Sequence, residues 1–416
     1  MMGKALSVAV VGAGAVGAAT AVELQRLGLH VSVFDAAHTP DERASWGNAT
    51  MIANELSAPL SSWATARKAP GRLFAFGGPL DFVLRDAGLW APWALRYLLA
   101  CSSARFGAGC AALDRLCLDA VPAWRRLLAR AGRLELLDET PHWALWESAA
   151  SFAAGAADAQ ANHSSAVQVR NLASQEVQAL KREVCPALAG GVAFEGGARL
   201  KDPGEAVEAL HAAVIGAGGR VVQAEVRTLQ VQPDRVTLEI AGEHLSFDHA
   251  VIACGARSAP LVKPAGLSAP LVAERGYHLQ YADHDLAPDL PALVLEERFI
   301  CVVRAGDHVR VTGFTEIGRP GSPPDPRKWA ALERHVAQLG LPVRGAPQRW
   351  MGARPTLPDF LPAIGRKGPL LYAFGHQHIG LTLAAVTAEA VGRLVLDGGQ
   401  ADLEPFALER FGRREH

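Results

Sequence analysis

Ala5-Leu6-Ser7-Val8-Ala9-Val10-Val11 is a short apolar run that leads straight into Gly12-Ala13-Gly14-Ala15-Val16-Gly17. An Ala-rich helical stretch follows and ends near Leu27-Gly28. A second apolar run, His30-Val31-Ser32-Val33-Phe34, then stops at Asp35. Strand, glycine turn, helix, strand and acid in this order form the dinucleotide fingerprint in the context it requires. Gly12 permits the tight turn. Gly14 has no Cβ, so a pyrophosphate can approach the backbone, and Gly17 lets the helix sit close to the strand. The helix N-terminus offers unpaired N–H groups and partial positive charge to phosphates. Asp35 stands where a carboxylate accepts from ribose hydroxyls. Gly12, Gly14, Val16, Gly17 and Asp35 are therefore the first candidate cofactor-binding residues; the competing reading is an Ala/Gly-rich turn with no ligand.

Working outward, 416 residues exceed one compact core and suit two domains. The composition, 50% hydrophobic and 20% charged, is that of a globular enzyme. A net charge of -1 gives no electrostatic case for nucleic acid. A cleaved signal peptide would destroy the fingerprint, and no uncharged apolar run reaches the ~18 residues needed to span a bilayer. A cytoplasmic location is expected. The six cysteines, Cys101, Cys110, Cys117, Cys185, Cys254 and Cys301, form no CxxC pair and read as reduced thiols. His376-Gln377-His378 lacks a nearby third ligand, so no metal is expected.

From Pro59 to about Leu137 the chain reads as helical, with Pro79 and Pro92 as punctuation. Trp90, Trp93 and Tyr97 cluster there. Packing on the core is favoured about twofold over contact with a membrane surface or a partner, since amphipathic faces usually pack inward. Asp202-Pro203-Gly204-Glu205 starts a helix, as N-cap, proline at N1 and acid in the first turn. A meander follows, from Arg220 to Ile240. His249 to Cys254 is a wholly apolar strand ending at Gly255, the pattern of a strand buried on both faces. Strands are expected at Tyr277-His278-Leu279-Gln280, Val309 to Gly313 and Leu370 to Phe374, with a last helix from about Leu381 to Leu396. The expected fold class is α/β, a Rossmann-like dinucleotide-binding domain with a discontinuous α+β substrate domain. Its expected divisions are 1–60, 165–259 and 346–416 for the cofactor domain, and 61–164 and 260–345 for the helical insert and substrate domain.

Four separated stretches carry a family likeness. They are Gly12 to Asp35; Ser45-Trp46-Gly47-Asn48-Ala49; Asp248 to Gly255; and Trp350-Met351-Gly352-Ala353-Arg354-Pro355-Thr356-Leu357-Pro358-Asp359, continuing through Pro362-Ala363-Ile364-Gly365 to Gly375-His376-Gln377-His378-Ile379-Gly380-Leu381-Thr382. Together they resemble the flavin-dependent D-amino-acid oxidase, glycine oxidase and D-amino-acid dehydrogenase superfamily over nearly the whole chain. The Gly-His-x-x-x-Gly-Leu-Thr ending is similar to the dehydrogenase branch, and its His-Gln-His form is similar to enzymes of hydroxyproline and other cyclic D-amino acids. Asp35 departs from the family's frequent Glu but offers the same acceptors. The resemblance implies FAD as cofactor, held noncovalently because no cysteine follows Cys301. It adds Ser45, Asn48, Ala49, Cys254, Gly255, Gly375, Gly380, Leu381 and Thr382 to the candidate cofactor contacts.

It also implies oxidation of an amino acid by hydride transfer from Cα to flavin N5, with cis-4-hydroxy-D-proline or D-proline as candidate substrates. Electrons would leave to a quinone or a carrier protein. The alternatives are a glycine- or sarcosine-type oxidase releasing peroxide, and a flavin-binding subunit of a larger electron-transfer complex, for which a site at the inner face of the cell membrane would serve. Oligomeric state stays open. Arg354 is the candidate anchor for the substrate carboxylate through a two-pronged hydrogen bond, against a structural salt bridge. Tyr277 and His278 are candidate pocket residues, or a satisfied core pair. His376 and His378 are candidates to flank the flavin or take the amine proton, or to pack. An Asx turn is the rival role for Asn48.

Overall fold

The chain is described from a computed structural model, which covers residues 6–161, 164–397 and 401–412. Two large sheets organise it. The first has six strands in the order Arg220–Gln223, His30–Asp35, Ser7–Val11, His249–Ile252, Leu370–Phe374 and Ala363–Lys367. All neighbours are parallel except the last pair. The helices Ala15–Arg26, Pro203–Gly216 and Gly380–Asp397 pack on one face, and the meander Val226–Val231, Val236–Ile240, Glu243–Phe247 covers the other. Val8 and Val10 enter the helical core while Ala9 and Val11 enter the meander core. A strand buried on both faces has no polar side, which is why Ser7–Val11 reads as an almost unbroken apolar run. The Gly380–Asp397 helix overlaps a stretch, Gln377–Leu396, long and apolar enough to cross a membrane by composition, yet 78% of that window is buried inside the molecule.

The second sheet has nine strands. Eight follow the order Gln348–Thr356, Val272–Tyr281, His308–Gly318, Ile300–Ala305, Leu293–Leu295, Trp143–Trp146, Gly190–Glu195 and Gln168–Asn171; the ninth, Leu80–Phe82, pairs with His308–Gly318. The helix Pro326–Leu339 packs on one face, over Tyr277, Leu279 and Val311. The opposite face turns toward the first sheet: the His278 ring meets the Gly47 carbonyl at 3.2 Å and Arg310 donates to the Trp46 carbonyl at 2.7 Å.

Two expected boundaries shift. Gln168–Asn171 and Gly190–Glu195, placed by sequence with the cofactor domain, pair into the second sheet, and so does Gln348–Thr356. Short strands do not announce which sheet they join. Pro92 also fails to punctuate: it lies inside the helix Ala87–Ala100. The aromatic insert packs inward. Trp93 is buried, donates to the Thr356 carbonyl at 3.1 Å and stacks on Tyr97, while Trp90 donates to the Val83 carbonyl at 2.9 Å. Leu95, Leu98 and Leu99 on the outer side stay exposed.

Behind the second sheet lies a buried charge knot. The fully buried Lys328 ammonium meets Asp81 and Glu316 at 2.7 Å and Asp325 at 3.1 Å, and Glu316 also pairs with buried Arg275. These three acids converge as metal ligands would, but the ammonium already sits among them.

Candidate active site

The glycine loop has two jobs. A Cβ on Gly12, at φ +106°, would come within 2.4 Å of the Ala253 carbonyl oxygen, and one on Gly17 within 1.9 Å of the Gly12 oxygen. Both positions are closed by protein. Gly14 differs: its Cβ would meet nothing nearer than Ser45 Oγ at 3.4 Å. It caps the helix Ala15–Arg26 in extended conformation, so open space lies before the first-turn N–H groups. Ser45 Oγ accepts from the Ala15 N–H at 3.3 Å, and Val16 is half-buried beside it. Asp35 accepts from the Ala13 and Ala37 N–H groups and lies 3.5 Å from Arg43 Nε. A carboxylate has about four lone-pair sites, so it retains capacity for a hydroxyl. Gly255, at φ +55°, has nothing within 4 Å of a Cβ. Cys254 donates to the Val11 carbonyl at 3.0 Å, and burial pushes its thiol up to about 12.

The loop bearing Asn48 and Ala49 is held by a residue the sequence reading missed. Arg310, 2% exposed, donates to the carbonyls of Trp46 (2.7 Å) and Asn48 (3.2 Å) and to Gln280 Oε1 (2.7 Å), and lies over the Trp46 ring. Burial pulls its pKa down to about 10. The available signal was a lone arginine in the apolar strand Val309-Arg310-Val311.

Alternation along Val272–Tyr281 divides the remaining candidates. Glu274, Gly276 and His278 face the first sheet; Arg275, Tyr277 and Leu279 face Pro326–Leu339. Arg354, across from Glu274, meets its Oε1 at 3.4 Å and keeps 29% of its side chain exposed. A Cβ on Gly276 would lie 2.4 Å from Arg354 Nη2, so the guanidinium rests on a glycine that no other residue could replace without moving it. Glu274, 4% exposed, also accepts from Thr356 Oγ1 at 2.9 Å and Thr315 Oγ1 at 3.4 Å. His278 is fully buried and stacked on Trp350. Burial and the Arg310 charge push it down to about 3. Its Nδ1 faces a carbonyl and must carry the proton, which leaves Nε2 a buried acceptor with no protein partner.

Two candidates fall away from this face. Tyr277 donates to Glu316 Oε1 and accepts from the Asp325 N–H, both at 3.0 Å, edge-on to Trp329. It is a satisfied core tyrosine, on the wrong side by strand alternation. His376 is 2% exposed, bonds Thr387 Oγ1 at 3.0 Å, and is pushed down to about 3 by burial; it braces the last helix. His378 remains. Burial and Arg354 lower its pKa, against the opposing charges of Glu274 and Glu55. Gly375, at φ +80°, and Gln377, at φ +44°, turn the chain so that Gly380 opens the last helix. Thr382 Oγ1 accepts from the Ala53 N–H at 2.9 Å, and Leu381 puts its side chain into the core while its carbonyl accepts from Trp124 at 2.8 Å.

Cys254, Glu296, Cys301 and His378 all lie deep within the fold, yet each retains accessible surface. The open cradles at Gly14 and Gly255, and the orphaned Thr50 Oγ1 and His278 Nε2, fit a large ligand rich in phosphate and heteroaromatic polar groups.

Comparison with known proteins decides which. The family model for FAD-dependent oxidoreductases, DAO, matches residues 7–394. The chain belongs to the DAO family. A D-amino-acid oxidase of Bradyrhizobium diazoefficiens is 30% identical to it over 97% of this chain and 98% of the relative. D-amino acid dehydrogenase 2 of Pseudomonas aeruginosa is 30% identical over 93% and 95%. Among solved structures, glycine oxidase from Geobacillus kaustophilus superposes with TM-score 0.72 at 21% identity, covering 97% of this chain and 99% of that one. L-proline dehydrogenase from P. horikoshii does so with TM-score 0.72 at 14% identity, covering 99% and 100%. These two likenesses establish the fold. This DAO-family chain is an FAD-dependent oxidoreductase with a Rossmann-like cofactor sheet and a separate substrate sheet.

Proposed function

We propose that the enzyme oxidises D-amino acids as a dehydrogenase, with cis-4-hydroxy-D-proline and D-proline heading the substrate panel. The observation that carries this reading is Arg354, laid on Gly276, backed by Glu274 and with 29% of its side chain still exposed. A guanidinium so held grips a carboxylate through two parallel hydrogen bonds and fixes the substrate's orientation. FAD, when bound, supplies the acceptor for the hydride that leaves Cα. Gly12, Gly14, Val16, Gly17, Asp35, Ser45, Asn48, Ala49, Cys254, Gly255, Gly375, Gly380, Leu381 and Thr382 are the residues we assign to holding it.

The chain's own groups do the rest. Glu274 positions Arg354 and is itself fixed by two threonine hydroxyls. His378, held below its ordinary pKa, is neutral at physiological pH and can accept the proton of the substrate ammonium. The free N–H groups at the start of Gly380–Asp397 present positive dipole to developing negative charge. The imino acid product hydrolyses or cyclises in solution, and electrons pass to a quinone or a carrier protein.

The test is anaerobic mixing of the FAD-loaded enzyme with D-proline, cis-4-hydroxy-D-proline, D-alanine and their mirror images. Bleaching by D-enantiomers is expected; a cofactor that stays oxidised with the whole panel sinks the reading. The 30% identical relative named an oxidase favours one alternative, an oxidase using oxygen. Peroxide yield compared with reduction of an artificial dye separates the two.

A further inference from the structure

The substrate sheet grips the 41–48 loop through a row of donors on one face. His278 and Gln280 lie two residues apart on Val272–Tyr281, with Trp350 paired across from His278 on one side and Arg310 across from Gln280 on the other. Trp350 Nε1 donates to the Asp41 carbonyl at 2.7 Å. Arg310 Nη1 bridges the carbonyls of Trp46, at 2.7 Å, and Asn48, at 3.2 Å. The Gly47 carbonyl between them accepts from His278 Nδ1 at 3.2 Å. Three consecutive carbonyls therefore point at the substrate sheet. A Cβ on Gly47 would lie 2.3 Å from the Trp350 ring, so the loop is also pressed against this row.

The peptide bonds of the described residues are trans, and in a planar trans peptide the N–H points opposite to the C=O. Turning the carbonyls of residues 46, 47 and 48 to the substrate sheet thus turns the N–H groups of Gly47, Asn48 and Ala49 away from it. The Asn48 N–H goes to the Ser45 carbonyl at 3.4 Å. Those of Gly47 and Ala49 have no partner among the described residues, and Gly47 is buried. Next to them Thr50 is fully buried, sits at φ +63° although β-branched, and leaves Oγ1 unpaired. That backbone region strains a β-branched residue, and such strain gathers at ligand sites. Two amides and a hydroxyl left unmet in one turn call for a ligand rich in acceptors. The turn is tied to the open Gly14 cradle by Ser45, whose Oγ accepts from the Ala15 N–H at 3.3 Å.

Arg310 is not explained by stability. It is 2% exposed and forms no ion pair among the described residues; Asp202 acts on it through space without pairing. Burying a cation away from a carboxylate is unfavourable, and an apolar side chain of similar volume would serve the core as well or better. We infer that Arg310, aided by His278 and Trp350, is a positioning residue for FAD: it draws the carbonyls of Trp46 and Asn48 to the substrate sheet and so presents the amides of Gly47 and Ala49, with Thr50 Oγ1, to acceptor atoms of the cofactor. The inference rests on the FAD dependence of the family and on the assignment of the Ser45–Ala49 turn to the cofactor.

The experiment uses the FAD-loaded full chain. FAD released on dilution is followed by its fluorescence, the bound flavin by its visible spectrum, and thermal melts are run at rising concentrations of free FAD. Arg310→Met keeps an unbranched stem but donates nothing; it should weaken FAD at least about tenfold and shift the absorption of the bound flavin. Its melting temperature should approach that of the wild type as free FAD is raised, because the ligand restores what the loop has lost. Arg310→Lys, which can still reach one carbonyl, should recover part of the affinity. Trp350→Phe removes only the donor to Asp41, and Thr50→Val only the hydroxyl; each should weaken FAD about two- to fivefold. Unchanged FAD affinity in Arg310→Met, with a melting temperature lowered equally at every FAD concentration, marks a merely structural arginine and overturns the inference. If Arg310→Met does not fold, Arg310→Lys and Trp350→Phe decide: affinity unchanged in both overturns it, and a loss in both supports it. A wild type that takes up no FAD rejects the cofactor assignment itself, whereas a wild type and variants that all bind FAD equally reject only the positioning role.

Discussion

Replacing Arg354 by alanine is the sharpest test of the site. Truncating one partner of a hydrogen-bonded charge pair costs about 2–5 kcal/mol, much of it from leaving the other charge unpaired. Arg354 sits in the middle of that range. It is 29% exposed, so solvent screens it in part, and its Nη1 already leans on Glu274 at a long 3.4 Å. A loss of ~3 kcal/mol is expected, about 150-fold in kcat/KM for a carboxylate substrate. The change also strips the 4%-exposed Glu274 of its cation, leaving only the hydroxyls of Thr356 and Thr315, so some loss of thermal stability accompanies it. Arg354→Lys separates the two effects: the charge stays, the planar fork goes, and a smaller loss of ~1.4–2 kcal/mol, about 10–30-fold, is expected. The assay is anaerobic stopped-flow reduction over a range of substrate concentration, with FAD content measured from the visible spectrum of each variant. A fall of less than about tenfold (~1.4 kcal/mol) in Arg354→Ala at full FAD content would mean that another group anchors the substrate.

Two further outcomes follow from geometry and burial. Gly14→Val should leave the apo fold intact, since a Cβ there meets only Ser45 Oγ at 3.4 Å, yet weaken FAD by at least about tenfold (~1.4 kcal/mol); Gly17→Ala, with its Cβ 1.9 Å from the Gly12 oxygen, should disturb the fold itself, and FAD titration beside thermal melts of the apo forms tells them apart. His376 is neutral in the folded state down to about pH 3, against an ordinary value near 6.5, so its contribution is complete above pH 6.5 and is lost as the pH falls toward 3, with a slope of up to about 1.4 kcal/mol per pH unit. Denaturant melts of wild type and His376→Gln between pH 7 and 4 should show the shallower dependence in the variant, and parallel curves would refute the neutral assignment.

The cofactor end was legible because its information is local. Gly12 to Asp35 is one βαβ unit, and each glycine has a contact or an opening that explains it. The substrate end was only half legible. Arg354 could be picked from its motif, but its partner Glu274 lies eighty residues away, and sequence adjacency says nothing about that pairing. Tyr277 and His278 could not be told apart because all ten residues of Val272–Tyr281 are buried. A strand covered on both sides carries no alternation of polarity to show which face looks at the ligand. His376 and His378 sit two residues apart but take opposite roles, because the left-handed turn at Gln377 and the 3₁₀ turn Gln377–Ile379 send one ring into the core and the other toward Arg354.

The cofactor sheet joins Ser7–Val11 to His249–Ile252, and that strand in turn to Leu370–Phe374. A ribosome adding about 5–20 residues per second needs roughly 20–70 seconds between releasing the first of these strands and the last. Through that interval one edge of the growing parallel sheet is an unpaired apolar ribbon, a template for pairing with the wrong neighbour. Closure depends on contacts of very long sequence separation, the kind that slows folding. Chaperone cover during synthesis, and poor yield when the chain is made fast and hot, are the expected cost of weaving one sheet from strands so far apart in sequence.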